Sequence, residues 1–334
     1  MTVSCARVIE AIEAFCPPDL ALERDPTGLQ VGAPGRAVRR VLCTLDLTLE
    51  VAEEAKARGC DMIVAHHAVV FRPLEALRTD TPRGRLLAAL LRDDVCVYVP
   101  HTALDVAPGG GNDALARVVG LVAPRPLEGT RERPQVLVLA RRASDTDAQE
   151  RASFGAGALT VEHTSDLSWS VVPAARGQDV AAREALLTGQ RAHVVPLASP
   201  GERFGIGRVG DLEPARTTRA LATHLRDALG APAVRVAARD PDRVVRRAAV
   251  LVGDGRRYVQ AAHRAGAEAL VTGDVDHHTA LEALALGVDL IDVGHWAGER
   301  CVIDLLAEGL RTQLAGEPVE VLASRVSTQP FTYL

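Results

Sequence analysis

The chain has 334 residues, 47% of them hydrophobic and 24% charged, with a formal net charge of −5. That is enough chain for two or three domains with full cores, and the negative balance argues against a protein that holds nucleic acid by charge alone. The single lysine, Lys56, leaves no Gly-Lys-Ser/Thr phosphate loop and no second amine for Schiff-base chemistry.

Aromatic residues are scarce at 3%, so Ala, Val and Leu must fill the core. The six cysteines (5, 16, 43, 60, 96 and 301) are dispersed, with no Cys-x-x-Cys, and several sit in apolar runs. This pattern fits a reducing compartment without structural disulfides or a thiolate zinc site. No long apolar stretch opens the chain, and no run approaches the ~18 residues of a membrane span. A cytoplasmic protein is expected, with no membrane partner.

In chain order, Val8, Ile9, Ile12 and Phe15 lie at helical spacing, and Pro17-Pro18 ends that helix. Gly28 to Gly32 reads as a strand or turn, and Arg40 to Leu45 as a strand. A helix over 48–58 stops at Gly59. Met62 to Ala65 is a short apolar strand that delivers His66-His67. A helix over 86–91 precedes a buried strand over 95–99, which delivers His101. Gly109 to Asp113 reads as a turn into a helix over 114–119. The alternation predicts an α/β layer with a mixed, largely parallel sheet.

The texture changes between 127 and 210, after Pro124 and Pro126. A strand (135–140), a polar helix (146–154), strands near 158–162 and 168–172, a helix (179–187) and a strand (192–197) predict a small ferredoxin-like α+β insertion. It carries only His163 and His193 as lone imidazoles, and Gly205 to Gly210 closes it. The α/β pattern then resumes with helix 217–229, strands 233–238 and 247–252, helix 257–265, strand 268–271, helix 277–286, strand 288–292 and helix 298–309. The expected organisation is therefore 1–126, an inserted module at 127–210, and 211–334.

Chemistry-bearing residues collect just past the expected strands, where open α/β sheets place their sites. His66, His67, His101 and His295 each follow an apolar run, and Glu299 lies one helical turn after His295. His66, His67, Asp105, His295 and Glu299 offer five nitrogen and oxygen ligands and no sulfur. Five exceed one closed tetrahedral zinc and suit two divalent ions sharing a bridging carboxylate, for which Glu299 is placed. Such ligands accept Zn, Fe, Mn or Co. His101 is assigned to proton transfer or to orienting a ligand. His278 is assigned a substrate-facing or supporting role, and its neighbour His277 an exposed one. Each element also has a plainer reading: Asp105 as a turn cap before Pro108, and Gly109-Gly110-Gly111 as a turn rather than a phosphate cradle.

The set Gly28-Leu29-Gln30-Val31-Gly32, Asp46-Leu47-Thr48, His66-His67-x-x-x-Phe71, His101-Thr102-x-x-Asp105-x-x-Pro108-Gly109-Gly110-x-Asn112-Asp113 and Leu290-Ile291-Asp292-x-Gly294-His295-x-x-x-Glu299 resembles the Nif-three-like dinuclear metal centre family. Its bacterial members are called GTP cyclohydrolase I type 2 homologues. The resemblance spans both halves of the chain. It implies an α/β fold around two metal ions, a PII-like middle module at 127–210 and a toroidal homohexamer. Carried over position by position, the implied ligands are again His66, His67, Asp105, His295 and Glu299. The sequence departs from the family pattern around Arg24-Asp25-Pro26-Thr27 and Gly253-Asp254-Gly255-Arg256, departures expected to leave the five ligand positions untouched.

Two functions follow. One is a metal-dependent hydrolase that directs hydroxide at a nucleotide-like small molecule; in the cyclohydrolase reading, which comes from the family label, the target is the imidazole-ring carbon of the GTP purine. The alternative is a non-catalytic metal-binding or adaptor hexamer.

Overall fold

The computed structural model describes residues 2–141, 160–164, 167–188, 191–197 and 202–334. The chain separates into two compact units, one formed by Met1–Glu128 with Gly205–Leu334 and the other by Gly129–Phe204. The expected helix over 146–154 and the start of the strand near 158 lie outside the described residues.

The larger unit holds two main sheets. In the five-stranded sheet, Glu320–Ala323, Arg40–Thr44, Met62–Ala65 and Cys96–Val99 run parallel, and Gly28–Val31 joins the last of them antiparallel. In the six-stranded sheet, Val244–Asp254, Ala269–Gly273 and Asp289–Asp292 form a parallel centre. Arg235–Ala237 and Glu202–Thr217 flank that centre antiparallel, and Leu121–Arg133 is an edge. The protein is thus α/β with mixed sheets. The smaller unit carries an antiparallel sheet ordered His193–Pro196, Gln135–Arg141, Leu167–Pro173, Thr160–His163, together with the helix Gly177–Thr188.

The six-stranded sheet is buried on both faces, which explains its unbroken apolar runs. Ala248, Val250, Ala269, Val271 and Ile291 enter one core, while Ala249, Leu270 and Leu290 enter the other, as period-two alternation requires. Helix starts follow side-chain capping. Ser4, Thr48, Thr217 and Asp276 each accept a hydrogen bond from a backbone N–H of the first turn.

Three strands differ from expectation. Leu121–Arg133 contains Pro124 and Pro126, which sequence patterns read as a boundary; an edge strand tolerates them because one side needs no donors. Glu202–Thr217 absorbs the glycines that read as a closing turn. Glu320–Ala323 follows a polar turn and finds its partner far away, beside Arg40–Thr44. The expected helix over 298–309 is two helices, His295–Glu299 and Cys301–Gln313. All six cysteines are unpaired thiols. Among the described residues no helix is long and apolar enough to cross a membrane.

Two polar ties fix the helix carrying Asp105 against the six-stranded sheet. Buried Asn112 donates from Nδ2 to the Asp105 carbonyl at 3.0 Å, and its Oδ1 accepts from the Val252 N–H at 3.1 Å. Arg208 donates to both oxygens of Asp113, at 2.5 and 3.0 Å, and to the carbonyls of Gly205, Gly207 and Val106. Asn112→Ala leaves a buried donor and a buried acceptor without partners. It is expected to cost about 2 kcal/mol, read as a lower urea midpoint at unchanged slope; a shift within error would remove Asn112 from this role.

Candidate metal centre

The parallel strand Met62–Ala65 ends at His66-His67, and Cys96–Val99 ends two residues before His101. Asp105 lies on the short helix Thr102–Val106, and His295 and Glu299 bracket the helix His295–Glu299 that follows strand Asp289–Asp292. The two sheets therefore aim their strand ends at one place. Three overlapping triads form there: His66, His67 and His101; His67, His295 and Glu299; His66, Asp105 and Glu299. Within each triad the ligand atoms lie within 4.8 Å of one another. Nε2 of His67 is 3.1 Å from Glu299 Oε2, and Nε2 of His295 is 3.0 Å from that same oxygen. The two Nε2 atoms are themselves 3.3 Å apart.

Each of three imidazoles has a carboxylate behind it. Nδ1 of His67 meets Asp46 Oδ1 at 2.8 Å, Nδ1 of His295 meets Asp274 Oδ2 at 2.8 Å, and Nδ1 of His101 meets Asp25 Oδ1 at 2.5 Å. A carboxylate on Nδ1 fixes ring orientation and leaves Nε2 for a cation, the usual outer layer of a metal site. His101 and Asp274 hold positive backbone φ angles of 40° and 57°, strained conformations that the surrounding structure must enforce. Gly253 makes room for the cluster: a Cβ there would stand 2.3 Å from Glu299 Oε1.

The electrostatics suit a cation. His66 is fully buried, and both its ring nitrogens lack a hydrogen bond, as does Oδ1 of Asp105. Burial pushes the His66 pKa down to about 3, so it remains a neutral imidazole with a free lone pair. Burial and then the nearby Glu299 push Asp105 well above the carboxylate range. Burial also opposes charge on His67 and His295. Asp46 and Glu299 outweigh it at His67, raising the pKa to about 10, and Glu299 with Asp274 raises His295 to about 9. Glu299 is held below its ordinary range: burial opposes ionisation, and His295 and His67 overcome it. Unbonded buried donors beside crowded carboxylates are the set that divalent cations satisfy, and the residues present fit such ions.

All five sequence-derived ligand candidates meet here. His101, assigned from sequence to proton transfer, stands among the possible ligands with His66 and His67. His278 does not reach the site. It is exposed in the first turn of helix His277–Leu286, its ring lies against His277 at 5.4 Å between centroids, and it is absent from the cleft lining. The substrate-facing assignment to His278 is therefore corrected: Asp276 caps that helix and the ring faces solvent. Asp25 and Asp46 have no role assigned from sequence, and Asp274 reads there as a cap of the helix that follows. Asp46 and Asp274 stand just past apolar runs, as the histidines do, whereas Asp25 follows Glu23-Arg24 and carries no such signal. The glycines at 109–111 form no part of the cleft; Gly109 N–H donates to Asp113 at 2.7 Å and the helix Gly111–Val119 begins.

A cleft of about 1170 Å³ opens beside the cluster. His67, His101, Asp105, His295 and Glu299 face it, and residues 328–333 form part of its wall.

The chain is similar along its whole length to proteins named GTP cyclohydrolase 1 type 2 homolog. One is from Bacillus subtilis, 31% identical over 376 residues and covering 100% of this chain and 99% of the relative. Another is from Halalkalibacterium halodurans, 32% identical over 370 residues and covering 98% of each. The crystal structure of a Bacillus cereus protein related to NIF3 superposes with a TM-score of 0.87 at 31% identity, covering 100% of both chains. A family profile matches residues 3–330, and with it the chain belongs to the Duf34/NIF3 (NGG1p interacting factor 3) family.

Proposed function

We propose that this chain is a hydrolase that uses two divalent cations to act on a nucleotide-like substrate. The observation that carries this reading is His66, buried and neutral with neither nitrogen hydrogen-bonded, at the meeting point of two ligand triads. His67 and Glu299 are likewise shared between triads, which supports two ions with common ligands over one. Bound there, Zn, Fe, Mn or Co would supply Lewis acidity and a hydroxide nucleophile near neutral pH.

The remaining work falls to the chain. Asp46, Asp25 and Asp274 hold three imidazoles in fixed orientation. His101 lies outside the five-ligand set of this reading, so with its Nδ1 engaged by Asp25 its Nε2 is free to hold or pass a proton at the cluster. The cleft is large enough to hold a nucleotide. The guanine nucleotide reading, with opening of the purine's imidazole ring, is supported by the names of the relatives. We also read residues 129–204 as a ferredoxin-like, PII-type module, supported by a sheet in which the fourth strand lies beside the first, then the third, then the second. The homohexamer belongs to the same proposal; light scattering should give close to six times the 35.4 kDa chain mass, and a monomer would remove it.

In the metal-free chain, His67 and His295 keep their protons until about pH 10 and 9, and an entering cation must displace them. Affinity for a divalent ion is therefore expected to rise between pH 6 and 9, by up to about ten-fold per pH unit for each proton displaced. Calorimetry in buffers of different ionisation enthalpy measures the protons released; an affinity flat across that range contradicts the assignment. For turnover, protein loaded with each metal is incubated with GTP beside a His67→Ala control. The intact protein is expected to consume GTP, and the variant to lose at least about a hundred-fold of that rate together with metal. Full metal loading without any product would leave a metal-binding protein and sink the hydrolase reading.

A further inference from the structure

The chain contains two tryptophans, three tyrosines and five phenylalanines. Half of these ten side chains line the cleft beside the metal cluster: Phe71, Tyr258, Trp296, Phe331 and Tyr333. Two already have partners. Tyr258 packs against the core under the six-stranded sheet, and the Arg300 guanidinium lies 5.5 Å from the Trp296 ring centre. The other three are open to solvent, Phe71 at 54%, Phe331 at 68% and Tyr333 at 47%. In a protein this poor in aromatics, three exposed rings lining one cleft are a concentration that packing does not explain.

Their placement ties them to the metal cluster. Phe71 follows the His66-His67 pair by a few residues and stands edge-on to His101, with ring centroids 6.4 Å apart and planes at 87°. Phe331 and Tyr333 arrive from the opposite end of the sequence. After strand Glu320–Ala323, the chain is pinned by Ser324 to Glu54 at 2.6 Å and by Thr328. The Thr328 hydroxyl donates to Asp46 Oδ2 at 2.5 Å and accepts from Trp296 Nε1 at 3.2 Å. The other oxygen of Asp46 orients His67. Beyond Thr328 the hydrogen bond found among the described residues is local, from the Phe331 N–H to Gln329 Oε1 at 3.3 Å. The Tyr333 hydroxyl comes to 4.0 Å from the Cβ position of Gly294, next to His295. A strap thus hangs from a threonine bonded to a ligand-orienting carboxylate and presents two rings to the cleft.

We propose that Phe71, Phe331 and Tyr333 form the subsite that receives a planar heteroaromatic base, at a distance from the metal cluster set by the Thr328–Asp46 anchor. This rests on the nucleotide reading above and adds which residues recognise the base. Aromatic rings are the side chains that bind the faces of such bases, and stacking tolerates the chemistry of the edge. The Tyr333 hydroxyl adds a group able to donate to or accept from that edge. Thr328 is a positioning residue: it touches Asp46 and holds the strap.

The test uses the full chain loaded with metal and two probes, GTP and inorganic tripolyphosphate, with binding followed by calorimetry. Phe331→Ala is expected to weaken GTP by about ten-fold and leave tripolyphosphate unchanged, while Phe331→Trp keeps the GTP affinity. Thr328→Val is expected to weaken GTP in the same base-dependent way, and Thr328→Ser to restore it. Because Phe331 is exposed, unchanged metal content and circular dichroism should show that the variants fold. The subsite is overturned if Phe331→Ala binds GTP as the parent does, if tripolyphosphate weakens equally, or if the parent binds GTP no better than tripolyphosphate. It is also overturned if Phe331→Ala changes only the oligomer mass, which would make the rings a subunit contact. GTP bound in this base-dependent manner without turnover would refute the hydrolase reading and leave the subsite standing.

Discussion

An imidazole shut away from water with no hydrogen bond on either nitrogen is costly, and His66 is that imidazole. A buried polar group without a partner costs roughly 1–3 kcal/mol. The costs multiply around it, because Asp105 has an unbonded buried oxygen and two Nε2 atoms face each other across 3.3 Å. Hydrophobic cores on both faces of the sheets hold these groups in place against their mutual discomfort. A divalent cation held there would turn these costs into bonds. The geometry of strands, caps and outer carboxylates is intelligible as the means of presenting that unsatisfied set.

The site was more legible in the sequence than the sheets that build it. His66, His67, His101 and His295 sit directly past short apolar runs, so strand-end logic places them together from sequence. Strand order was less accessible, since it depends on pairing between distant segments. Glu320–Ala323 lies beside Arg40–Thr44 across most of the chain length, and no local pattern announces that neighbour. Prolines in Leu121–Arg133 and glycines in Glu202–Thr217 signalled turns because local chemistry favours turns; an edge position and close backbone packing overrode it. The orienting carboxylates Asp25, Asp46 and Asp274 stayed hidden because an aspartate's role as a brace is decided by the ring it meets, 76, 21 and 21 residues away. His278 misled for the opposite reason: it has the right residue type at a helix start, yet that helix start faces solvent.

The Asn112-Asp113 pair and the glycine-rich stretch around Arg208 proved to be one device. Asp113 receives the Arg208 fork, Asn112 bridges the Asp105 carbonyl to Val252, and together they lock a ligand-bearing helix to the six-stranded sheet. Residues that read from sequence as a turn into a helix and as the close of an insertion are thus framework for the candidate metal site. Their polarity is satisfied internally, which leaves them no spare groups for a ligand.

Gly253 has a consequence for how this chain can change over evolutionary time. A side chain of any kind there would overlap Glu299, since even a Cβ would fall 2.3 Å from Oε1. The backbone at 253 also sits at φ +68°, where a side chain is strained regardless of space. The room at 253 and the placement of the Glu299 carboxylate are therefore coupled. Replacing the glycine forces the carboxylate out of the cluster, and shortening the carboxylate to fit a larger residue would pull its oxygens away from His67 and His295. A substitution at 253 therefore acts first on a carboxylate 46 positions away in the chain.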